Sequence, residues 1–147
     1  MGVLTERRQA WVNELVNGDR EQTTGFLHVL APSSDKRCHS DVAHSSGYCC
    51  LGVACDLMPR VERGTQSEHG PLIETFDGSS AFLPDRVCEY YGMYSPQGGY
   101  EAPVAGSLSE RNDGGASFKQ IAETIVYHQD ELFTPDHDGS RIVMPSR

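Results

Sequence analysis

The chain has 147 residues, enough for one buried core, but only 37 % are apolar, and 15 glycines with 8 prolines cut it into short pieces. Its 21 acidic against 12 basic residues leave a formal charge of −9, which excludes a protein that coats nucleic acid through a basic face. No apolar run approaches the ~20 residues of a membrane span, and Met1 to Arg8 carry no hydrophobic signal core, so the expectation is a cytosolic protein with reduced cysteines.

Thr5 to Asn17 reads as a helix capped by Thr5, with Trp11, Val12, Leu15 and Val16 on one stripe and Gly18 as its stop. Thr24 to Leu30 alternates like a strand with apolar residues on both faces, which predicts cover on both sides. Pro32 to Ser46 is a long polar loop, and Tyr48 to Cys50 can complete a hairpin with the Thr24 strand. Leu51 to Met58 reads as a short buried helix ended by Pro59. Arg60 to Pro71 reads as a second polar loop, and Leu72 to Phe76 as a strand before an Asp77-Gly78 turn.

Leu83-Pro84-Asp85 opens a helix with Val87, Cys88 and Tyr91 inward and Gly92 at its end. Tyr94 to Gly106, rich in Gly, Pro and Tyr, is expected at the surface. Ser107 to Asn112 gives one helical turn, and Asn112 to Gly115 a turn by composition. Ser117 and Gln120 form a capping box for a helix that carries Phe118, Ile121 and Ile125 inward. After Leu132 a turn-rich tail runs over residues 133–147. These pieces assemble into an α+β fold: a single domain over residues 1–147, a small, mostly antiparallel sheet flanked by three to four short helices, and polar loops at 32–46 and 60–71.

Three of the five cysteines fall within seven residues, in Tyr48-Cys49-Cys50-Leu51-Gly52-Val53-Ala54-Cys55-Asp56-Leu57. This segment resembles the YCCLGVLCDL core of a family of small proteins recurring in tailed phages and prophages. Trp11 to Gly18 with Gln22, Gly25 and Leu27 resembles that family's first helix and strand. Leu83-Pro84 with Val87 resembles its LP-x-x-V helix. Leu108, Asn112-Asp113, Gly115, Ser117-Phe118 and Ile121-Ala122 resemble its LxxLND-x-G-x-SF-x-x-IA ending. Arg111 departs from the pattern by replacing a leucine, and the Pro32–Ser46 loop is unusually long and polar. The resemblance implies a phage origin and action in the host cytoplasm; it implies no activity.

Several chemistries compete for these residues. Cys38, His39, His44, Cys49, Cys50 and Cys55 lie close in sequence, but a zinc site needs paired knuckles, and on a helix Cys50 and Cys55 splay apart. No metal and no cofactor are therefore expected, and small buried thiols account for the segment. Cys50 at a helix N-terminus is a candidate nucleophile, with His28, His39, His44 or His128 as base and Asn112 or Asp113 as orienter. Asn112 to Ile125 imitates the start of a helix-turn-helix, but Asp130, Glu131, Asp136 and Asp138 follow it and would repel phosphate. Asn112 to Gly115 lacks the alternating acids of a calcium loop.

Ten of the twelve basic residues are arginine, the better fork for phosphate and carboxylate. Arg20, Gln22, Tyr48, Asp56, Arg111, Asn112 and Asp113 are polar residues beside apolar elements, and together they form the candidate ligand site. The leading expectation is a phage-encoded binding protein that sequesters a small anionic, nucleotide-like host ligand, such as a defence signal, without turnover. An acidic protein that occupies a host factor's surface ranks second, and a hydrolase using Cys50 third. Whether the chain is an enzyme stays open, with binding favoured; self-association also stays open, and neither nucleic acid nor membrane is an expected partner.

Overall fold

In the first helix, α1 (Val3–Asn17), Trp11, Val12 and Leu15 are buried on one side, as their spacing requires. The computed structural model describes residues 2–31, 46–67 and 70–145. The expected Pro32–Ser46 loop, with Cys38, His39 and His44, lies outside the described residues except for Ser46. The start of α1 corrects the sequence reading. Thr5 lies inside the first turn, and its N–H and hydroxyl both donate to Asp136 Oδ2, at 2.7 and 2.8 Å. The capping carboxylate thus comes from the C-terminal tail and faces the positive end of the helix. The N–H of Thr5, then its hydroxyl and the His137 groups, hold Asp136 well below the usual carboxylate range, against the effect of burial.

Four strands form one antiparallel sheet in the order β2-β1-β4-β3: β1 (His28–Ala31), β2 (Gly47–Tyr48), β3 (Arg63–Gln66) and β4 (Leu72–Phe76). His28 pairs with Tyr48 on one side and with Glu74 on the other. The expected strand from Thr24 forms only from His28. Leu27 and Val29 are buried while Leu30 is exposed, so one face is covered rather than both. β3 falls in the segment read as a loop. All four of its residues are exposed, which leaves no alternation to read; pairing with β4 makes it a strand.

Helix α2 (Cys50–Leu57) crosses the centre, with every residue from Cys50 to Cys55 buried. Trp11 Nε1 donates to the Cys50 carbonyl at 3.0 Å, and the Tyr91 hydroxyl donates to the Ala54 carbonyl at 2.7 Å, near the helix end where carbonyls lack helical partners. Gly52 lies so close to the residue before β1 that a Cβ there would stand 1.7 Å from the Leu27 carbonyl oxygen; only glycine allows this approach.

Helix α3 (Asp85–Tyr91) ends at Gly92 in the left-handed conformation, as expected of a helix-closing glycine. A short antiparallel ribbon of β5 (Gly99–Tyr100) and β6 (Gly106–Ser107) follows, inside the segment expected at the surface. Helix α4 (Leu108–Asp113) is capped by Ser107 and includes Asn112 and Asp113, which composition assigned to a turn. Helix α5 (Phe118–Tyr127) opens on the Ser117–Gln120 capping box, with both reciprocal bonds present, and α6 (Gln129–Leu132) adds one turn. The fold is α+β, with six helices among the described residues, and one cluster of buried side chains runs from Trp11 to Ile142. Among the described residues no helix is long and apolar enough to cross a membrane.

Candidate functional site

The seven polar residues singled out in the sequence do not converge on one cavity. Arg20, Asp56 and Tyr48 join a closed ring of side chains over the α1 end, α2 and the sheet. Arg20 pairs with Glu14 and, at 2.5 Å, with Asp56; Asp56 pairs with Arg63 at 2.8 Å, and Arg63 with Glu74 at 3.3 Å. Glu74 bonds His28 Nδ1 at 2.8 Å, the His28 ring stacks on Tyr48 at 3.7 Å, and the Arg20 guanidinium lies 5.3 Å from the Tyr48 ring centre. Burial alone would raise Asp56, but hydrogen bonds from Arg20 and Arg63 outweigh it and hold the carboxylate below its usual value. Each charge in the ring already faces an opposite one, so the ring ties the sheet to α1 and α2.

Gln22, Asn112 and Asp113 belong to a second cluster. Asn112 is buried; its Oδ1 accepts from the Cys50 N–H at 3.1 Å and from Gln22 Nε2 at 2.9 Å. Its Nδ2 donates to the Thr23 carbonyl at 2.7 Å, and Gln22 Nε2 also reaches the Ala116 carbonyl. Asp113 Oδ1 accepts from the Gly25 N–H at 2.9 Å. Asn112 therefore supplies the acceptor for the first amide of α2 and joins α4 to the chain before β1. Asn112 and Asp113 also border a recess of about 90 Å³, below the several hundred Å³ of ordinary ligand sites.

The cysteines of α2 are poorly placed for chemistry. Cys50 is fully buried, its Sγ faces the Leu108 carbonyl at 3.6 Å, and burial raises its thiol well above the ordinary value. Cys49 accepts the Gly52 N–H as a helix cap, and burial pushes its thiol up to about 12. Burial likewise raises Cys55. A nucleophilic thiol needs access and a lowered pKa, and these three have neither. Among the described residues no three His, Cys, Asp or Glu side chains stand close enough to hold a metal ion.

Arg111 is the exception among the seven. It is exposed on α4, and no hydrogen bond or ion pair engages its guanidinium among the described residues. Asp113, its nearest acid in sequence, bonds the Gly25 amide instead. Arg111 stands on the wall of a groove of about 510 Å³ between the β5–β6 ribbon, α4 and α5, with Tyr100, Glu110, Thr124, Tyr127 and His128. The Tyr127 ring is 73 % exposed, and Tyr100 stacks on His128 at 4.0 Å. Glu131 fixes this pair from below: it accepts from His128 Nδ1 at 2.9 Å and from the Ala102 N–H at 3.0 Å. The sequence reading passed over these aromatics. The tyrosines at 94 and 100 in the Gly- and Pro-rich surface segment, and Tyr127 at the end of α5, were the available signal.

No protein-family model matches the chain, and no curated protein or solved structure is detectably similar to it.

Proposed function

We propose that this chain is a small binding protein that holds an anionic, ring-bearing ligand of the nucleotide type, without turnover, in the groove beside Arg111. The observation that carries the reading is the Arg111 guanidinium, unpaired among the described residues, on a groove wall that also presents an exposed tyrosine. Arginine is suited to bidentate contact with phosphate, and a tyrosine ring to stacking on a base. A volume of about 510 Å³ falls within the range of small-molecule sites. Arg20, Gln22, Tyr48, Asp56, Asn112 and Asp113 stand outside this groove and support it through the fold, so the proposed contact set is Arg111, Tyr127, Tyr100 and His128. The setting we propose, a phage protein drawing down a defence signal in the host cytoplasm, is supported by the sequence resemblance alone.

The test is calorimetry against linear and cyclic nucleotides, followed by chromatography of the released ligand. Arg111→Ala is expected to weaken binding by about 1.5–3 kcal/mol, the range of a charge-assisted hydrogen bond, with little change in melting temperature. A chemically altered ligand would replace this reading with an enzyme. No heat with any nucleotide, together with a co-purifying host protein, would replace it with the inhibitor of a host factor.

A further inference from the structure

The other side of the β5–β6 ribbon differs sharply in charge. A groove of about 790 Å³ opens there, walled by Tyr94, Tyr100, Glu101, Glu110, Asp130 and Glu131, and among the described residues no lysine, arginine or histidine lines it. Two of its four carboxylates already have partners: Asp130 pairs with Arg141, and Glu131 with His128. Glu101 and Glu110 are exposed, and among the described residues no ion pair or hydrogen bond engages either carboxylate. Tyr94 is 62 % exposed, yet its backbone is fixed by the bond from its N–H to the Leu132 carbonyl at 3.1 Å. Tyr100 is held by its stack on His128.

We propose that this groove docks a basic segment of a partner protein, with an arginine side chain laid across Tyr94 and its guanidinium shared between Glu101 and Glu110. The charge of the groove names the occupant. Two unpaired carboxylates, Glu101 and Glu110, beside two paired ones disfavour a nucleotide, and the absence of a three-ligand cluster among the described residues disfavours a metal ion. A planar guanidinium satisfies both features of the wall: it stacks on a ring face and donates in a fork to carboxylates. The chain's charge of −9 adds long-range attraction for a basic partner, which speeds encounter at low salt. The groove shares Tyr100 and Glu110 with the Arg111 groove but does not include Arg111, so the Arg111→Ala variant separates this proposal from the nucleotide reading.

The experiment uses the whole chain and fluorescein-labelled hexa-arginine, hexa-lysine and hexa-glutamate peptides, read by fluorescence anisotropy across a salt series. Hexa-arginine is expected to bind more tightly than hexa-lysine, and hexa-glutamate not at all. The double variant Glu101→Gln with Glu110→Gln is expected to weaken hexa-arginine at least tenfold. A charge-matched control outside the groove, Asp19→Asn with Glu62→Gln, is expected to change it less than twofold. Tyr94→Ala is expected to erase the preference for arginine over lysine, and Arg111→Ala to leave hexa-arginine binding intact or tighter. Equal weakening by the groove pair and the control pair would reduce the effect to net charge and overturn the proposal. So would the absence of hexa-arginine binding at low salt, or unchanged binding in the groove pair with circular dichroism showing a native fold.

Discussion

Asn112 offers the sharpest separation of a structural residue from a ligand contact. Replacing it with alanine leaves the Cys50 N–H without its acceptor and the Thr23 carbonyl without the Asn112 donor, while the Gln22 amide keeps its bond to Ala116. Each stranded buried group costs about 1–3 kcal/mol, so the two together make a loss of roughly 3–4 kcal/mol the expected outcome. That is a large share of the roughly 5–15 kcal/mol that hold a domain together, and it corresponds to a drop of about 10 °C in a chain of this size. Urea unfolding followed by far-UV circular dichroism measures it, with an unchanged slope showing that the midpoint alone moves. Asn112→Asp adds a pH signature. The aspartate keeps its acceptors but sets a charge against the Thr23 carbonyl in a buried site, so its folded pKa is raised. Its penalty is then full at neutral pH and fades as pH falls through the folded value toward about 4, where the protonated acid can donate to Thr23. A loss below about 1 kcal/mol in Asn112→Ala, or a penalty in Asn112→Asp that grows toward acid pH, would refute this reasoning.

Cys50→Ala and Cys55→Ala are each expected to cost about 1–3 kcal/mol by chemical denaturation, and the thiols at 49, 50 and 55 to react with an aromatic disulfide reagent only on unfolding. Ser117→Ala is expected to cost about 1 kcal/mol in the same assay, because the Gln120 N–H loses its acceptor. Asp136 has a folded pKa below its unfolded value, so its stabilising effect is present above about pH 4 and is lost as pH falls further. Asp136→Asn should therefore be less stable than the parent at pH 7, with the gap narrowing between pH 4 and pH 2 in urea titrations.

Much of the fold was legible locally. The stripe of α1, the glycine that closes α3 and the capping box of α5 are signals carried within one or two helical turns, where side-chain spacing and backbone chemistry are short-range. The burial of the cysteine-rich helix followed from its apolar content. β3 was not legible, because four exposed residues, one of them a glycine, give no pattern and its strand pairing comes from β4 alone. The capping of α1 was misread for a related reason: Thr5 has the chemistry of a cap, but Asp136, 131 residues away, takes the role.

The candidate site divides along the same line. From the residues alone, Arg20, Gln22, Asp56, Asn112 and Asp113 had the chemistry of ligand contacts, and residue type was all that local sequence determined. Tertiary structure decided which of them were already engaged. It brought Arg63 and Glu74 to Asp56 and Arg20, set Asn112 against the first amide of α2, and left Arg111 without a partner among the described residues, beside a groove. It also placed Tyr94, Glu101 and Glu110 around one cavity, although they come from a loop, the ribbon and α4. The physical reason is that a polar side chain's availability depends on which opposite charge or hydrogen-bonding group lies within about 3 Å, and for these residues the partners are set by long-range chain folding.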